Sequence, residues 1–203
     1  MLKKFFDFDN PVMQSLSLAA DLLALNLLTM FLCIPVVTAG AAITAMHDVL
    51  QKIAMHEETY PIRMYYDSFR ENLKKSIPLG LLFLGAMIVV ILNYLAALAT
   101  LPSFRFVSAA IGVLVLAIGN YAFGLWARFE NTRTGTLKNA ARLAVGCFPR
   151  TLGMVVFEIA FYAAAIHFYA IGVPVLFLFG LSLPCYICVL LYLPVFKKLE
   201  EEG

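Results

Sequence analysis

Long uninterrupted apolar runs dominate the chain and predict its structural elements. No charged residue occurs between Lys75 and Arg105, and the apolar run 106–127 follows directly, closed by Arg128. In hydrocarbon no water bonds the backbone, so a spanning segment is either a helix or a strand of a closed barrel. A barrel strand would alternate apolar and polar residues over about ten positions. These runs do not alternate, so they predict transmembrane helices of about 20 residues each.

The same reading along the whole chain predicts an all-α polytopic membrane protein, a single domain over 1–203 with five transmembrane helices. The run from Thr151 to Phe196 is interrupted only by Glu158 and His167, and Gly172-Val173-Pro174 at its middle is typical of a turn. The predicted spans are 16–37, 77–101, 106–127, 151–171 and 174–196. The first span is expected to be retained rather than cleaved as a signal peptide, because its apolar stretch is too long.

The loops at one end of the predicted bundle are amphipathic. Segments 43–53, 65–75 and 137–148 each place apolar residues at helical spacing opposite polar ones. In the first segment the polar positions are Asp48, Gln51 and Lys52. We expect three helices lying on the cytoplasmic interface. They would either anchor and orient the bundle or provide a docking surface for a partner.

Charge distribution predicts the orientation of the bundle. The chain is 62% hydrophobic and 14% charged with a net charge of +2, which excludes an ordinary soluble enzyme and a nucleic-acid-binding protein. Twelve of the 15 basic residues lie in 39–76, 128–150 and the C-terminal tail. Since loops rich in Lys and Arg stay in the cytoplasm, we expect a multi-pass bacterial cell-membrane protein. Its N-terminus would lie outside and its C-terminus inside.

Polar residues within the predicted spans are the first candidates for a functional site, because polar groups are costly in hydrocarbon. They are Asp21, Asn26, Asn93, Asn120, Glu158 and His167. Asn120 and Glu158 each lie seven residues from the cytoplasmic end of a span, at a depth of about 10 Å, so we expect them to meet. Asp21, Asn93 and His167 lie nearer the outer ends and form a second possible layer. Two interpretations stay open: a cavity sensitive to a proton or a ligand, and hydrogen bonding that joins helices.

Motifs for catalysis or cofactor binding are absent from the sequence. It contains no phosphate-binding loop, no dinucleotide fingerprint, no zinc-protease motif and no nucleophile elbow. The three histidines are too far apart for metal-ligand spacing, and we expect no metal and no cofactor. Cys185 and Cys188 form a CxxC within an apolar helix, and no basic neighbour is present to lower the pKa of a thiol. The favoured interpretation is that both cysteines are small apolar side chains that fill space in the helix packing. The sequence predicts a protein that is not an enzyme.

Four short segments resemble a known family. Residues 35–42 (PVVTAGAA), 121–130 (ending in WARFE), 136–140 (TLKNA) and 149–152 (PRTL) look like motifs of the YesL-like family. The resemblance covers essentially the whole chain. Its motif residues here are Pro35, Thr38, Gly40, Arg128, Phe129, Glu130, Lys138, Asn139, Arg150 and Thr151.

The resemblance implies a functional context rather than an activity. The YesL-like family comprises small bacterial integral membrane proteins of unknown function, commonly encoded beside carbohydrate ABC-importer components and glycan-degrading enzymes. It therefore implies a non-enzymatic accessory or partner subunit in carbohydrate uptake, contacting importer subunits through its cytoplasmic surface. The alternative is a small secondary transporter or channel, self-associating, with Glu158 in a polar intramembrane cavity. The bilayer is the other expected partner, and no nucleic acid is expected.

Physical reasoning also suggests roles for two of the motifs. Thr38 and Gly40 after Pro35 would let the chain leave the membrane and turn into the first interfacial helix. Arg128 and Glu130 would pair at the membrane edge and set the height of the third span.

Overall fold

Helices account for nearly all of the chain in the computed structural model, which describes residues 11–57, 60–100, 104–129 and 132–201. In these ranges there are eight α-helices and no β-strand. The helices are α1 (Pro11–Leu32), α2 (Ala39–Ala54), α3 (Pro61–Thr100), α4 (Phe104–Arg128), α5 (Arg133–Gly146), α6 (Phe148–His167), α7 (Tyr169–Phe179) and α8 (Ser182–Glu201). Five of them, α1, α3, α4, α6 and α8, are long and apolar enough to cross a membrane. The all-α class and the count of five spans are confirmed.

The first helix is shifted from the prediction. α1 ends at Leu32 rather than at residue 37, and a short 3-10 turn over Val36–Thr38 leads into α2. The Thr38 hydroxyl lies 2.6 Å from the carbonyl oxygen of Leu32 and 2.8 Å from that of Pro35. It therefore satisfies a carbonyl that the end of α1 leaves without a helical partner. The chain does turn after Pro35, and Thr38 bonds this turn, whereas Gly40, predicted to take part in it, lies inside α2.

α2 lies inside the bundle, where the sequence predicted an interfacial helix. Ten of its 16 residues are buried, and α1, α3, α4 and α8 all pack against it. Gln51, assigned to the solvated face, is 3% exposed because its amide bonds groups of α4 and α8. The interpretation of α2 as a surface helix is therefore wrong: its polar side chains are accommodated by partners on neighbouring helices, which periodicity cannot reveal.

Close packing of α2 on α3 depends on two glycines. A Cβ atom added to Gly40 would lie 2.6 Å from the Ser76 carbonyl oxygen and 2.8 Å from the Cα of Gly80. One added to Gly80 would lie 2.4 Å from the Cα of Gly40. Thr44 reinforces the contact, since its hydroxyl lies 3.2 Å from that of Ser76. The two backbones touch at this crossing, as in small-residue packing between membrane helices.

α3 joins two predicted elements into one helix of 40 residues. The amphipathic segment 65–75 and the span 77–101 are continuous, and Pro78 lies inside the helix. The expected apolar face is partly confirmed: Tyr65 and Phe69 are buried, whereas Tyr66 is 52% exposed. α5 likewise turns small residues inward, with Thr136, Ala140 and Ala144 buried.

The predicted fifth span, 174–196, is divided between two helices. The break between helices falls at Phe168, not at Gly172–Pro174, and Pro174 lies within α7. Gly172 is needed for a close approach rather than for a turn, because a Cβ there would lie 1.8 Å from the carbonyl oxygen of Ala165. A break at Gly180–Leu181 then separates α7 from α8. A discontinuous helix of this kind requires partners for its free backbone groups.

Both halves of α1 line grooves with residues close to the α2–α3 connection. Its first half, including Asp21, lines a groove with Ile53, His56, Glu57 and Tyr186. Its second half, at Leu28 and Leu32, lines another with residues 60–66. The first half of α1 therefore lies near the end of α2, and its second half lies near the start of α3.

Candidate functional site

Glu158 and Asn120 meet inside the bundle, as their depths predicted. The Asn120 side-chain amide on α4 donates to Glu158 Oε1 on α6 over 2.9 Å. The Cys188 thiol on α8 approaches the same oxygen at 3.5 Å. Oε1 is therefore the acceptor for two donors from two other helices, and this contact joins α4, α6 and α8.

The second carboxyl oxygen of Glu158 has no hydrogen-bond partner among the described residues, and Glu158 lines a cavity. Oε2 is buried, and among the described residues no donor reaches it. The cavity has a volume of about 290 Å³ between α2, α3, α4, α6 and the start of α8. Its polar side chains are His47, Asn120, Glu158 and Tyr162. Most of the remaining lining is apolar, so this carboxyl group is the strongest polar feature of the site.

A second polar network crosses the same region. Gln51 Nε2 donates to the Gly124 carbonyl oxygen over 3.0 Å and to the Tyr192 hydroxyl over 3.1 Å. The Tyr192 oxygen lies 2.9 Å from His47 Nδ1, and His47 Nε2 lies 3.5 Å from Cys185 Sγ. Because Gln51 donates to Tyr192, the tyrosine hydroxyl proton is free for His47 Nδ1. The hydrogen bonds then run in one direction from Gln51 to Cys185.

His47 is neutral in this network. The residue is 2% exposed, and α2, which carries it, is not one of the five span-length helices. Burial lowers the pKa of the His47 ring to about 4, because the charged form loses its hydration. At neutral pH the imidazole therefore acts as a neutral acceptor at Nδ1 and donor at Nε2. His47 adds hydrogen bonding to the cavity wall but no positive charge.

Two side chains hold the break between α7 and α8. Asn26 Oδ1 accepts from the backbone N–H groups of Leu181 and Ser182, over 2.8 and 3.2 Å. Asn26 Nδ2 donates to the Phe177 carbonyl oxygen over 2.8 Å. The Tyr162 hydroxyl donates to the Gly180 carbonyl oxygen over 2.9 Å. Because Leu181 also lines the cavity, these bonds fix one wall of the candidate site.

The predicted outer layer does not form. Asn93 is exposed and donates to the Val89 carbonyl oxygen of its own helix. His167 is exposed at the end of α6, with its ring against Phe168. Asp21 faces the α1 groove near His56 and Glu57. No hydrogen bond or ion pair joins these three residues in the described parts of the chain, so of the predicted set Asn120 and Glu158 meet at the cavity and Asn26 braces one of its walls.

Metal binding receives no support from the arrangement. In the described ranges no group of three or more His, Cys, Asp or Glu side chains is placed to hold a metal ion. The CxxC cysteines contact different polar groups, Cys185 the His47 ring and Cys188 the Glu158 carboxyl. Both are buried within the hydrophobic core, as the filler interpretation expects, and each thiol also lies near one polar group.

With this geometry in view, comparison with protein families gives one result. Residues 22–94 match the DUF624 family model. That family is described as a protein of unknown function, and the match confirms the family resemblance inferred from the sequence. No curated protein matches the chain. No solved structure matches it either.

The DUF624 match includes the structural motif at the α1–α2 turn. Pro35, Thr38 and Gly40 lie within it, and so do Gly80 and Asn26. Asn120 and Glu158 lie outside it. The matched region therefore supplies the α1–α2–α3 packing and the brace across the α7–α8 break, whereas the carboxyl group of the cavity comes from the remainder of the chain.

Arg128, in the motif after the third span, binds the C-terminal helix, while Glu130, its predicted partner, falls on a position that is not described. Arg128 binds Glu200 on α8 with two hydrogen bonds, Nε to Oε1 at 2.5 Å and Nη2 to Oε2 at 2.8 Å. The Phe129 ring meets Phe196 edge-on at 6.0 Å between centroids. Glu130 lies outside the described residues. Arg128 therefore ties the end of α4 to the C-terminal helix.

The remaining motif residues also have structural surroundings. The Thr151 hydroxyl lies 2.9 Å from the Ala144 carbonyl oxygen and 3.3 Å from the Tyr121 hydroxyl, which joins α4, α5 and α6. Lys138 and Arg150 are exposed, and Asn139 is partly buried on α5. None of these three borders the Glu158 cavity.

Sequence reasoning missed the contribution of α2 to the site. His47 was considered only as a metal ligand, and Gln51 was assigned to solvent. One signal was available: the two residues are four apart, so they lie on the same side of a helix. A polar pair at that spacing, within a segment otherwise rich in apolar residues, indicates a shared hydrogen-bonding partner in a neighbouring helix.

Proposed function

We propose that this protein is a non-enzymatic membrane subunit that assists carbohydrate uptake by an ABC-type importer in bacteria. The YesL-like resemblance carries this proposal, because the family is commonly encoded beside such importers. The DUF624 match supports the family resemblance but gives no information about an activity. The protein would act by contact with importer subunits at its cytoplasmic surface.

The chemistry of the cavity favours an accessory role over passage of the sugar through this chain. A sugar carries several hydroxyl groups, and each one buried without a partner costs about 1–3 kcal/mol. The cavity offers only four hydrogen-bonding side chains besides Cys185, and one of them, Tyr162, is engaged with Gly180. A cavity of about 290 Å³ with a largely apolar wall suits a less polar molecule.

A groove at the predicted cytoplasmic end is the surface we propose for the partner. It has a volume of about 640 Å³ and lies between α2, α3, the end of α4 and the start of α5. Its charged residues are Asp48, Lys52, Glu71, Lys75, Arg128 and Arg133. Four are basic and two acidic, and the aromatic side chains of Trp126 and Phe129 lie among them. Aromatic and arginine side chains are enriched in protein interfaces.

Co-purification from native membranes tests the partner proposal. Tagged protein, extracted without dissociating detergent, is expected to bring down a subunit of a carbohydrate importer. A double variant, Lys75→Glu with Arg133→Glu, reverses two exposed charges of the groove and should reduce recovery about tenfold, as rim charges affect association. Arg142→Glu, exposed on α5 outside the groove, is the matched control and should recover wild-type amounts. Recovery of no importer subunit with the wild-type protein would refute the proposal.

The proposed location is the bacterial cell membrane, with the N-terminus outside and the basic loops and C-terminus in the cytoplasm. Single cysteines can report this in a background that lacks the four native cysteines. Asp67→Cys and Thr134→Cys are exposed positions on α3 and α5 and should resist an impermeant maleimide on intact cells. Phe104→Cys at the start of α4 and Gln14→Cys on α1 should react.

Permeabilised cells provide the control for the labelling, since all four positions should then react. Labelling of Asp67→Cys or Thr134→Cys on intact cells would overturn the orientation of the bundle. Gln14→Cys reports the N-terminus separately, because reaction only after permeabilisation would place that end in the cytoplasm and leave the rest intact.

A small secondary transporter or channel is a second candidate, favoured by the unpartnered Glu158 oxygen in a cavity. Such a protein would first have to bind a cation or a proton at this carboxyl group. One carboxyl group at this cavity in a single chain makes a poor transporter, so this alternative requires self-association.

A further inference from the structure

We propose that the Glu158 cavity binds a small, largely apolar organic cation whose ammonium group bonds the Glu158 carboxyl group. The inference goes beyond an accessory role and does not depend on it, because it concerns occupancy of the cavity rather than contact with a partner. It assigns a ligand class to a site for which no binding function is known from the family match.

The first argument is the arrangement of the two carboxyl oxygens. Oε1 already accepts from Asn120 and lies near the Cys188 thiol, whereas Oε2 is buried and has no donor among the described residues. A buried polar atom in this state carries the cost of lost hydration until something bonds it. Both protein donors approach Oε1, and Glu158 is one of the residues that line the cavity, so a donor on a ligand there would supply the partner that Oε2 lacks.

The second argument is charge. Of the described residues that line the cavity, none is Lys or Arg, and His47 is neutral because it is buried. An ionised carboxylate within a low-dielectric bundle needs a counter-charge. An ammonium ion on a ligand provides that charge together with donors for Oε2, and charge-assisted hydrogen bonds are the strong ones.

The third argument is the shape and lining of the cavity. Its volume of about 290 Å³ is at the small end for a ligand site, and aliphatic and aromatic side chains form most of the wall. Two of these, Leu84 and Leu116, are 37% and 38% exposed, so the cavity has a rim at the side of the bundle. A molecule with an apolar body fits this wall and can reach it from the hydrocarbon of the bilayer.

A matched pair of probes tests the proposal. Fluorobenzylammonium and fluorobenzyl alcohol differ mainly in charge, and fluorine NMR follows both on purified protein in lipid nanodiscs. At neutral pH we expect saturable binding of the ammonium probe to the wild-type protein. In Glu158→Gln, which keeps the size of the side chain, affinity for this probe should fall about tenfold or more. The alcohol should bind more weakly and equally to both proteins.

A second variant keeps the test decisive if Glu158→Gln misfolds. Val115→Phe adds bulk to the apolar wall without touching the carboxyl contacts and should lose both probes, since Val115 lines the cavity. If Glu158→Gln does not give monodisperse protein, the ammonium-to-alcohol comparison on the wild type and the loss in Val115→Phe decide the question.

Three outcomes would overturn the inference. They are absence of saturable ammonium binding to folded wild-type protein, equal affinity for the ammonium probe and the alcohol, and equal ammonium affinity in wild type and folded Glu158→Gln. None of these outcomes bears on co-purification with importer subunits, so failure here is distinguishable from failure of the proposed function.

Discussion

Gly80→Ala is expected to cause one of the two largest losses of stability in this protein. The added Cβ would lie 2.4 Å from the Cα of Gly40, and the obstacle is backbone rather than a movable side chain. α2 and α3 would have to separate at their crossing, where α2 is also held by α1, α4 and α8. Overpacking typically costs 1–3 kcal/mol, and here we expect about 3 kcal/mol or more. The apparent Tm in detergent micelles, followed by loss of monodisperse protein, measures it.

The same helix offers a matched control for this prediction. A Cβ at Gly85 would meet no atom within 4 Å, and the residue is exposed. Gly85→Ala should therefore leave the Tm unchanged or raise it slightly, since alanine is favoured over glycine in a helix by up to about 1 kcal/mol. A Gly80→Ala variant as stable as Gly85→Ala would mean that the Gly40–Gly80 crossing is not closely packed.

Asn26→Leu is expected to cause the second large loss. The substitution keeps the approximate size of the side chain but removes all three bonds across the α7–α8 break, those to Phe177, Leu181 and Ser182. Each buried backbone group left without a partner costs about 1–3 kcal/mol, so a loss of several kcal/mol is expected. The apparent Tm should fall strongly, and hydrogen exchange at the start of α8 should become faster than in the wild type.

Asn93→Leu provides the comparison for Asn26. Asn93 is an exposed asparagine within a span-length helix, and its one hydrogen bond goes to the Val89 carbonyl oxygen of the same helix. Replacement by leucine at this position should be neutral or stabilising, because a lipid-facing site favours an apolar side chain. Equal losses in the two variants would show that Asn26 does not brace the break.

The sequence by itself determined the class of the protein and the number of its spans. Continuous apolar runs can satisfy their backbone in a bilayer only as helices, so the five-helix count needed no tertiary information. The Asn120–Glu158 contact was also predictable, because both residues lie at the same distance from basic residues that mark one end of their helices. The depth of a residue within a span follows from its position along the chain, so the sequence is sufficient to predict it.

Only the tertiary structure decided what surrounds each helix. Amphipathic spacing predicted α2 as an interfacial helix, yet Tyr192 and the Gly124 carbonyl oxygen satisfy Gln51 in the interior. Likewise, the sequence predicts 174–196 as one span. The break at Gly180 is stabilised by Asn26, which lies more than 150 positions earlier in the chain, so the local pattern does not indicate it. Periodicity indicates that one face of a helix is polar. A polar group on that face can be satisfied either by water or by a side chain from a distant part of the sequence, and the tertiary packing determines which of the two it is.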